Sequence, residues 1–466
     1  MIQNYHCHKS FSNILVADCP ASYDDYLKRV VELGHNVISS VEHGYQSNYY
    51  IPYEMVNNYN DQLKEQVKKG ELLEEEYNKK KLKFIFGAEA YWVKDRLAEY
   101  PKINQKTNKT VYAKDRTNCH IVLLAKNEEG RQDINEAISV ANIDGFYGQP
   151  RIDLDLLLKI KPENVMVTTA CLKYWVYQDI DEITQILHEH FKENFFLEIQ
   201  YHNTERQKKI NRHILELSER WGIPLIFGYD SHFIYSEDSI ERDNYLDARE
   251  INYDVDEIGW YMDYPDESEV RRRLREQGVL NEEQIDECIN NTNLLLDFDD
   301  IVLDKRIKLP KNYKFNGEWV GDKTQEWRDN TLRNLVYSKW NEIKNTISPD
   351  RYEEYEKGIE YELDAIIGTK MSDYFLIDYE LVRIGTENGG VITKTGRGSG
   401  VSYYINSLLG FSNIDRFISP VTLYPDRFIS KTRILKTRSL PDLDLNLGTV
   451  DIFAKAQLEV MGEGHA

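Results

Sequence analysis

Cysteine is scarce in this 466-residue chain. The five present (Cys7, Cys19, Cys119, Cys171, Cys288) are odd in number and form no CxxC pair. That excludes a disulfide framework and a zinc finger of ordinary spacing, and it predicts a reducing, cytoplasmic setting. Long apolar runs are missing too, so no membrane span is expected. The opening "MIQNYHCHKS" has neither the basic region nor the apolar core of a signal peptide. Positive charge is in deficit: the formal net charge is −21, which argues against a protein that coats nucleic acid through bulk charge. Screening lets the local balance decide, however. Residues 390–440 carry eight cations (Lys394, Arg397, Arg416, Arg427, Lys431, Arg433, Lys436, Arg438) against Asp415 and Asp426. One strongly cationic stretch therefore sits in an acidic chain.

What is present suffices for real cores: 41% of residues are hydrophobic and 12% aromatic, and the length predicts two or three domains. Over residues 1–235, short apolar runs end in ligand-type residues. "HNVISSVEHG" ends in Glu42 and His43, "LKFIFGAEAYWV" carries Glu89, and "NVMVTTACL" reaches Cys171. "FFLEIQYH" carries Glu198 and His202, and "IPLIFGYDSH" ends in Asp230 and His232. Helical stretches such as "YDDYLKRVVELGH" and "ERQKKINRHILELSERWG" separate them, with apolar residues at i, i+3, i+4 and i+7. Such alternation predicts a parallel α/β architecture with functional residues at the strand C-terminal ends. "NCHIVLLA" is the exception, because His120 precedes its apolar run. Residues 55–83 read as a charged, solvent-facing helical insertion. Residues 236–310 read as an acidic helical connector, with a boundary near Pro310, and residues 311–466 as a further unit.

His6 and His8 stand two apart, on one face of an extended segment, and Asp230 and His232 repeat that spacing. With Asp18, His43, Glu89, His120 and Cys171 they make a nitrogen- and oxygen-rich set with one thiol. Imidazole suits zinc, manganese or iron, and carboxylates bridge neighbouring cations. A lone histidine is more often a surface or core residue than a ligand; the paired spacings and strand-end positions favour a multinuclear metal site.

This set resembles the polymerase and histidinol phosphatase (PHP) domain, and more closely the PHP domain that opens the alpha subunit of bacterial DNA polymerase III. That family has HxH, a following Asp, "DHG", "GxE", a His before an apolar strand, "CL" and a late D-x-H. Here stand His6-Cys7-His8, Asp18, "EHG" (42–44), "GAE" (87–89), His120, "CL" (171–172) and Asp230-Ser231-His232. Two departures are Glu42 in place of Asp and a longer spacer before Asp18, which leaves Asp24 as an alternative ligand. The resemblance implies a distorted seven-stranded (β/α) barrel holding up to three divalent metals, Zn2+ or Mn2+ among them. It also implies phosphodiester hydrolysis, as a 3′–5′ exonuclease, or a degraded structural module.

A second constellation lies near the end. "LPDLDLN" sets Asp442 and Asp444 two apart, and strand alternation would put both carboxylates on one face with the leucines on the other. Such a pair repels unless a cation sits between, as two-metal phosphoryl transfer requires. Upstream, "TGRGSG" (395–400) offers glycines whose backbone N–H groups can approach a phosphate, with Arg397 and Ser399 as further donors. "DYFLI" (373–377), "TGRGS" (395–399), "DRF" (426–428) and "PDLDLNL" (441–447) resemble, in order, the "GYFLI", "GPGRGS", "ERF" and "PDFDIDF" of the same polymerase family's palm. Departures are the missing proline, extra residues before Pro441, and Asn446 for a third acidic residue.

The resemblance implies a C-family replicative DNA polymerase, phage or bacterial, with a partial nucleotidyltransferase-type α+β palm. Asp442 and Asp444 would hold Mg2+, and Gly396, Arg397, Gly398, Ser399, Lys436 and Arg438 would bind the nucleotide. Implied partners are DNA primer-template, dNTPs, a sliding clamp and other replisome proteins, with no membrane. The family's third catalytic carboxylate lies far downstream, so the 466 residues are expected to be incomplete for polymerisation, as a fragment or a natural short form. Two other readings are a stand-alone PHP phosphoesterase or exonuclease, and a non-catalytic protein that binds DNA or a polymerase.

Overall fold

The computed structural model describes residues 1–14, 18–46, 49–104, 108–117, 119–251, 259–304, 308–393, 395–437 and 440–462. They fall into two compact units, Met1–Val302 and Leu303–Ala466. Among the described residues, no helix is long and apolar enough to cross a membrane.

The strands of the first unit are β1 (Val37–Ser40), β2 (Lys83–Val93), β3 (Glu99–Asn104), β4 (Lys109–Lys114), β5 (Cys119–Ala125), β6 (Ile152–Asp153), β7 (Val165–Thr168), β8 (Phe195–Ile199) and β9 (Leu225–Phe227). β1, β2, β5, β7, β8 and β9 lie side by side in that order, β6 adds to β2, and β3 and β4 form a separate hairpin. The resulting mixed sheet is curled into a half-barrel. The first residues of the chain lie against both of its edges: Cys7 bridges to Ser231 after β9, and the Ser39 hydroxyl at the end of β1 donates to the Tyr5 carbonyl at 2.6 Å.

The sheet departs from the parallel expectation at one strand. β5 runs antiparallel to both β2 and β7, whereas the β1–β2, β7–β8 and β8–β9 pairs are parallel. This also explains His120. The start of an antiparallel strand lies where its parallel neighbours end, so a residue preceding the apolar run of β5 reaches the same rim as Glu89, opposite Tyr91 in register.

Period-two alternation divides the inner face into two zones. Val37, Ile85, Val122, Leu124, Met166, Phe196 and Ile226 form an apolar core. Two or four residues along the same faces, toward the rim, come Ser39, Glu89, His120, Thr168, Glu198 and Asp230. Helices on the outside follow local signals. Tyr23–Leu33 starts at Ser22 with a capping box to Asp25 and stops at Gly34 in the left-handed region (φ 68°). Glu205–Trp221 is capped by Thr204 and ended by Gly222. In the charged insertion, Tyr50–Lys68 buries Pro52, Tyr53, Val56 and Leu63, while Glu74–Lys80 buries nothing.

The second unit is mostly helical. Gln325–Ile343, Tyr352–Gly368 and Ser372–Glu387 pack Leu332, Val336, Trp340, Ile359, Leu363 and Phe375 into one core. Among the described residues its strands are two short pairs, β10 (Lys314–Phe315) with β11 (Glu318–Trp319), and β12 (Ile392–Thr393) with β13 (Asn446–Leu447).

Candidate metal centre and a second acidic site

All nine residues of the first constellation converge at the sheet rim. His6 Nε2 lies 3.3 Å from both Glu89 Oε1 and Asp230 Oδ1. His8 Nε2 lies 3.2 Å from Asp230 Oδ1 and 3.6 Å from Glu89 Oε2. Glu89 also meets His43 Nδ1 at 2.7 Å and His120 Nδ1 at 2.8 Å, and Cys171 Sγ stands 3.5 Å from His120 Nδ1. At the other end His232 Nε2 is 3.6 Å from Asp18 Oδ2. Asp24, the alternative to Asp18, is exposed and paired with Lys28.

Among the described residues, the donor atoms group as Asp18-Cys19-His43-His232, His8-Asp230-His232, His6-His8-Glu89 and Glu89-His120-Cys171, each set lying within 4.8 Å. His232, His8 and Glu89 are each shared by two groups, so the four are links of one chain of donors. That is the arrangement a multinuclear site needs. Two ligand-bearing turns take unusual backbone: Ala170 before Cys171 has φ 47°, and Asp230 itself has φ 48°. Left-handed backbone at non-glycine residues is strained, and it persists here where the turns aim donors inward.

A second ring of residues orients the imidazoles. Glu198, buried on β8, accepts from His6 Nδ1 (2.7 Å), the Tyr5 and Thr168 hydroxyls (2.8 Å each) and Gln200 Nε2 (3.0 Å). In the neutral ring the proton of His6 is thereby held on Nδ1, which would leave Nε2 to a cation in the pocket. Ser12 Oγ does the same for His8 at 3.2 Å. Glu42 is not a pocket donor: the hydroxyls of Ser12 (2.5 Å) and Tyr23 (2.6 Å) and the Lys9 backbone N–H (3.2 Å) donate to it.

The electrostatics fit cations. Burial opposes the charged form of His6, but Glu198 and Asp230 outweigh it and hold its pKa well above the ordinary value. His43 is raised to about 9, burial being outweighed by Glu89. Burial and His43 push His8 well below its ordinary value. Glu89 and Asp230, though buried, are held well below the usual carboxylate range, chiefly by His120 and His8 for the first and His6 for the second. These carboxylates demand positive charge beside them. Nε2 of His6, His8 and His120 is buried without a hydrogen-bond partner. Buried ring nitrogens without a hydrogen-bond partner, beside carboxylates that call for positive charge, are what divalent cations complete, taking the place of the proton that Glu198 and Asp230 favour on His6, so the residues present fit the metals that the sequence implied.

In the second unit, Asp444 faces the glycine-rich loop. Arg397 Nη2 is 2.9 Å from Asp444 Oδ1, and a Cβ on Gly398 would lie 2.2 Å from Asp444 Oδ2. Gly398 has φ +66°, so a side chain there would be strained twice over. Asn446 Nδ2 donates to the Thr395 carbonyl at 3.1 Å, tying the acidic segment to the same loop. Asp442 is exposed. Both aspartates lie on irregular backbone just before β13, because pairing with β12 reaches only Asn446 and Leu447. Lys431 is turned to Asp364 at 2.6 Å, and Arg433 donates to the Arg427 carbonyl at 3.0 Å. Arg438 and the side chain of Lys436 lie outside the described residues.

Sequence reasoning missed Cys19 and left Glu198 without a role. A signal existed for each: Cys19 adjoins Asp18, and Glu198 shares the inner face with Phe196 two residues before it.

Comparison with known proteins finds a family match in each half of the chain. Residues 4–202 match the PHP domain, and residues 330–451 match the bacterial DNA polymerase III alpha NTPase domain. The DNA polymerase III subunit alpha of Borreliella burgdorferi is 26% identical over 393 residues, covering 80% of this chain and 30% of the relative. That of Aquifex aeolicus is 24% identical over 467 residues, covering 95% and 36%. A probable DNA polymerase, YorL, of Bacillus subtilis is 24% identical over 502 residues, also covering 95% and 36%. The chain thus spans about a third of the length of the curated relatives it matches. It thus carries, in order, a match to the PHP domain and a match to a segment of bacterial DNA polymerase III alpha, and is similar to the N-terminal part of those subunits.

Proposed function

We propose that the first unit is a metal-dependent phosphodiesterase acting as a 3′–5′ exonuclease, within a polypeptide whose complete form is a replicative DNA polymerase. The observation that carries the first half is the convergence of the buried Nε2 atoms of His6 and His8, neither with a hydrogen-bond partner, on Glu89 and Asp230. Divalent cations held there by His6, His8, Asp18, His43, Glu89, His120, Cys171, Asp230 and His232 would supply Lewis-acid activation of water and neutralise phosphate charge. The chain's own contribution is preorganisation. Glu198 and Ser12 fix two rings, Glu89 sits between His43 and His120, and the rim position leaves the donors facing outward from an apolar floor.

For the second half, Asp444 and Asp442 are the proposed Mg2+ carboxylates, and the loop of Gly396, Arg397, Gly398 and Ser399 is the proposed triphosphate cradle. Arg397 then has two roles. It neutralises Asp444 while no cation is bound, and it is a guanidinium positioned to swing to a phosphate when one arrives. Templated dNTP addition, with a primer-template and replisome partners, belongs to the complete enzyme.

The test is cleavage of a 5′-labelled single-stranded oligonucleotide with added Mn2+ or Zn2+. Stepwise shortening from the 3′ end, abolished by chelator and by His8→Ala, is expected. A chain that binds Mn2+ at this cluster yet leaves both the oligonucleotide and small phosphodiesters intact would overturn the nuclease reading.

A further inference from the structure

The insertion between β2 and β5 is not used by the site described above. β2 delivers Glu89 and β5 opens with Cys119 and His120, so the chain leaves and re-enters the sheet at the rim of the metal cluster. There it builds the β3–β4 hairpin. Its root is fixed by one buried guanidinium. Arg151 donates to the Arg96 carbonyl on the outgoing side (2.6 Å), the Asp115 carbonyl on the returning side (2.7 Å) and the Gly145 carbonyl (2.8 Å). Arg96 in turn pairs with buried Asp153 at 2.8 Å.

Beyond this root the arm is bare on both sides. Its register puts Pro101, Ile103 and Tyr112 on one face, and Tyr100, Lys102, Lys109 and Val111 on the other. Tyr112 is 68% exposed and Ile103 63%. An isolated two-stranded ribbon gains little stability from such residues, so packing does not explain them. Among the described residues, Lys102, Lys109 and Lys114 form no ion pair, although the chain as a whole carries a net charge of −21. Free ammonium groups interleaved with exposed phenol rings complement one kind of partner in both respects: a polyanion that also presents flat apolar faces. Single-stranded DNA does so, with phosphates for the lysines and unstacked bases for the tyrosines. A duplex keeps its base faces stacked and offers the rings nothing.

We propose that the β3–β4 hairpin is an arm that binds single-stranded DNA and leads the strand end to the metal cluster. Delivery to the cluster rests on the phosphodiesterase reading; binding by the arm does not. The experiment uses the full chain and labelled oligothymidylate, with a duplex of equal length beside it, read by fluorescence anisotropy. Tyr100→Ala with Tyr112→Ala, and Lys102→Glu with Lys109→Glu, are each expected to weaken single-strand binding by about tenfold or more. Both double variants should melt like the parent, because the altered side chains are exposed. Hydrolysis of bis(p-nitrophenyl) phosphate, a substrate too small to span the arm, should be unchanged in both. Cross-links from 5-iodouracil oligonucleotides should map to Tyr100 or Tyr112. Undiminished affinity in both variants, equal preference for duplex, or cross-links confined to residues 390–440 would overturn the arm. Absence of small-substrate hydrolysis in the parent would instead defeat the phosphodiesterase reading, and anisotropy would still decide the arm.

Discussion

Gly228→Ala isolates the support of the metal cluster from its ligands. Gly228 follows β9, and a Cβ built on it would lie 2.1 Å from Glu198 Oε1 and 2.2 Å from Glu198 Cδ. Comfortable contact begins near 3.5 Å, so the carboxylate must retreat by about 1.5 Å. It cannot do so and keep its bonds to His6, Tyr5, Thr168 and Gln200, which are already 2.7–3.0 Å long. Overpacking of this kind costs about 1–3 kcal/mol, and weakening a charge-assisted hydrogen bond about 1.5–3 kcal/mol more. The two together predict a loss of about 3–5 kcal/mol, or a fall in the melting midpoint of about 6 °C or more. His6 would also lose the acceptor that fixes its ring, which should weaken metal binding about 10- to 100-fold. Scanning calorimetry in chelator reads the first effect, and Mn2+ titration by isothermal calorimetry the second. Glu198→Gln, which keeps the volume and removes the charge, should reproduce the loss of affinity without the overpacking. A Gly228→Ala chain that melts within about 1 °C of the parent and binds Mn2+ as tightly would refute the assignment of Glu198 as the holder of His6.

Three further outcomes are expected. Metal should raise the melting midpoint of the first unit, by about 3 kcal/mol of stability at a hundredfold excess over Kd, and His8→Ala should erase most of that difference in chelator-paired melts. His35 is buried, with its Nδ1 accepting from the Tyr264 hydroxyl at 2.7 Å, and burial lowers its pKa to about 4. The unfolded chain therefore binds the extra proton between pH 6.5 and 4, so this group's contribution of up to about 3 kcal/mol is intact above pH 6.5 and lost as pH falls toward 4; denaturant titrations of the parent against His35→Gln should differ across that window. In the second unit, Asp373 is fully buried and takes bonds from Arg328 Nε (2.6 Å) and the Tyr313 hydroxyl (2.8 Å), so Asp373→Ala strands a buried guanidinium and should cost about 3–5 kcal/mol in the same titrations.

Much of the first site was legible because its spacing reports strand geometry directly. His6 and His8 share a face by period two, and strand-end positions bring Asp230 and His232 to the same rim. The direction of β5 was not legible. An apolar strand reads alike in both directions, and only its neighbours decide its orientation; the misfit of His120 was the one visible trace. Glu198 escaped for a different reason. A carboxylate on an apolar strand signals function, but whether it binds a cation or holds the ring that does depends on a gap of a single atom, here the missing Cβ of Gly228. The short pairing of β12 with β13 was equally hidden, since the length of a strand depends on its partner and the partner lies over fifty residues away in the chain.

The two paired-donor motifs also show how little a spacing says about readiness. His6-x-His8 and Asp442-x-Asp444 have the same spacing, yet their surroundings differ. The histidines are wholly buried, their rings held by Glu198 and Ser12, and their free nitrogens already converge on Glu89 and Asp230. A cation bound there would displace little and order little. Asp442 is exposed, while Asp444 spends an oxygen on Arg397, whose side chain is 63% exposed. An ion pair so open to water is worth little and breaks readily. The loop glycines leave room beside Asp444 that a side chain would fill, and among the described residues Arg397 is the side chain paired with it. The first cluster is therefore organised by the fold itself, whereas the proposed second site would be organised by its ligands, with Arg397 holding the place of a charge beside Asp444.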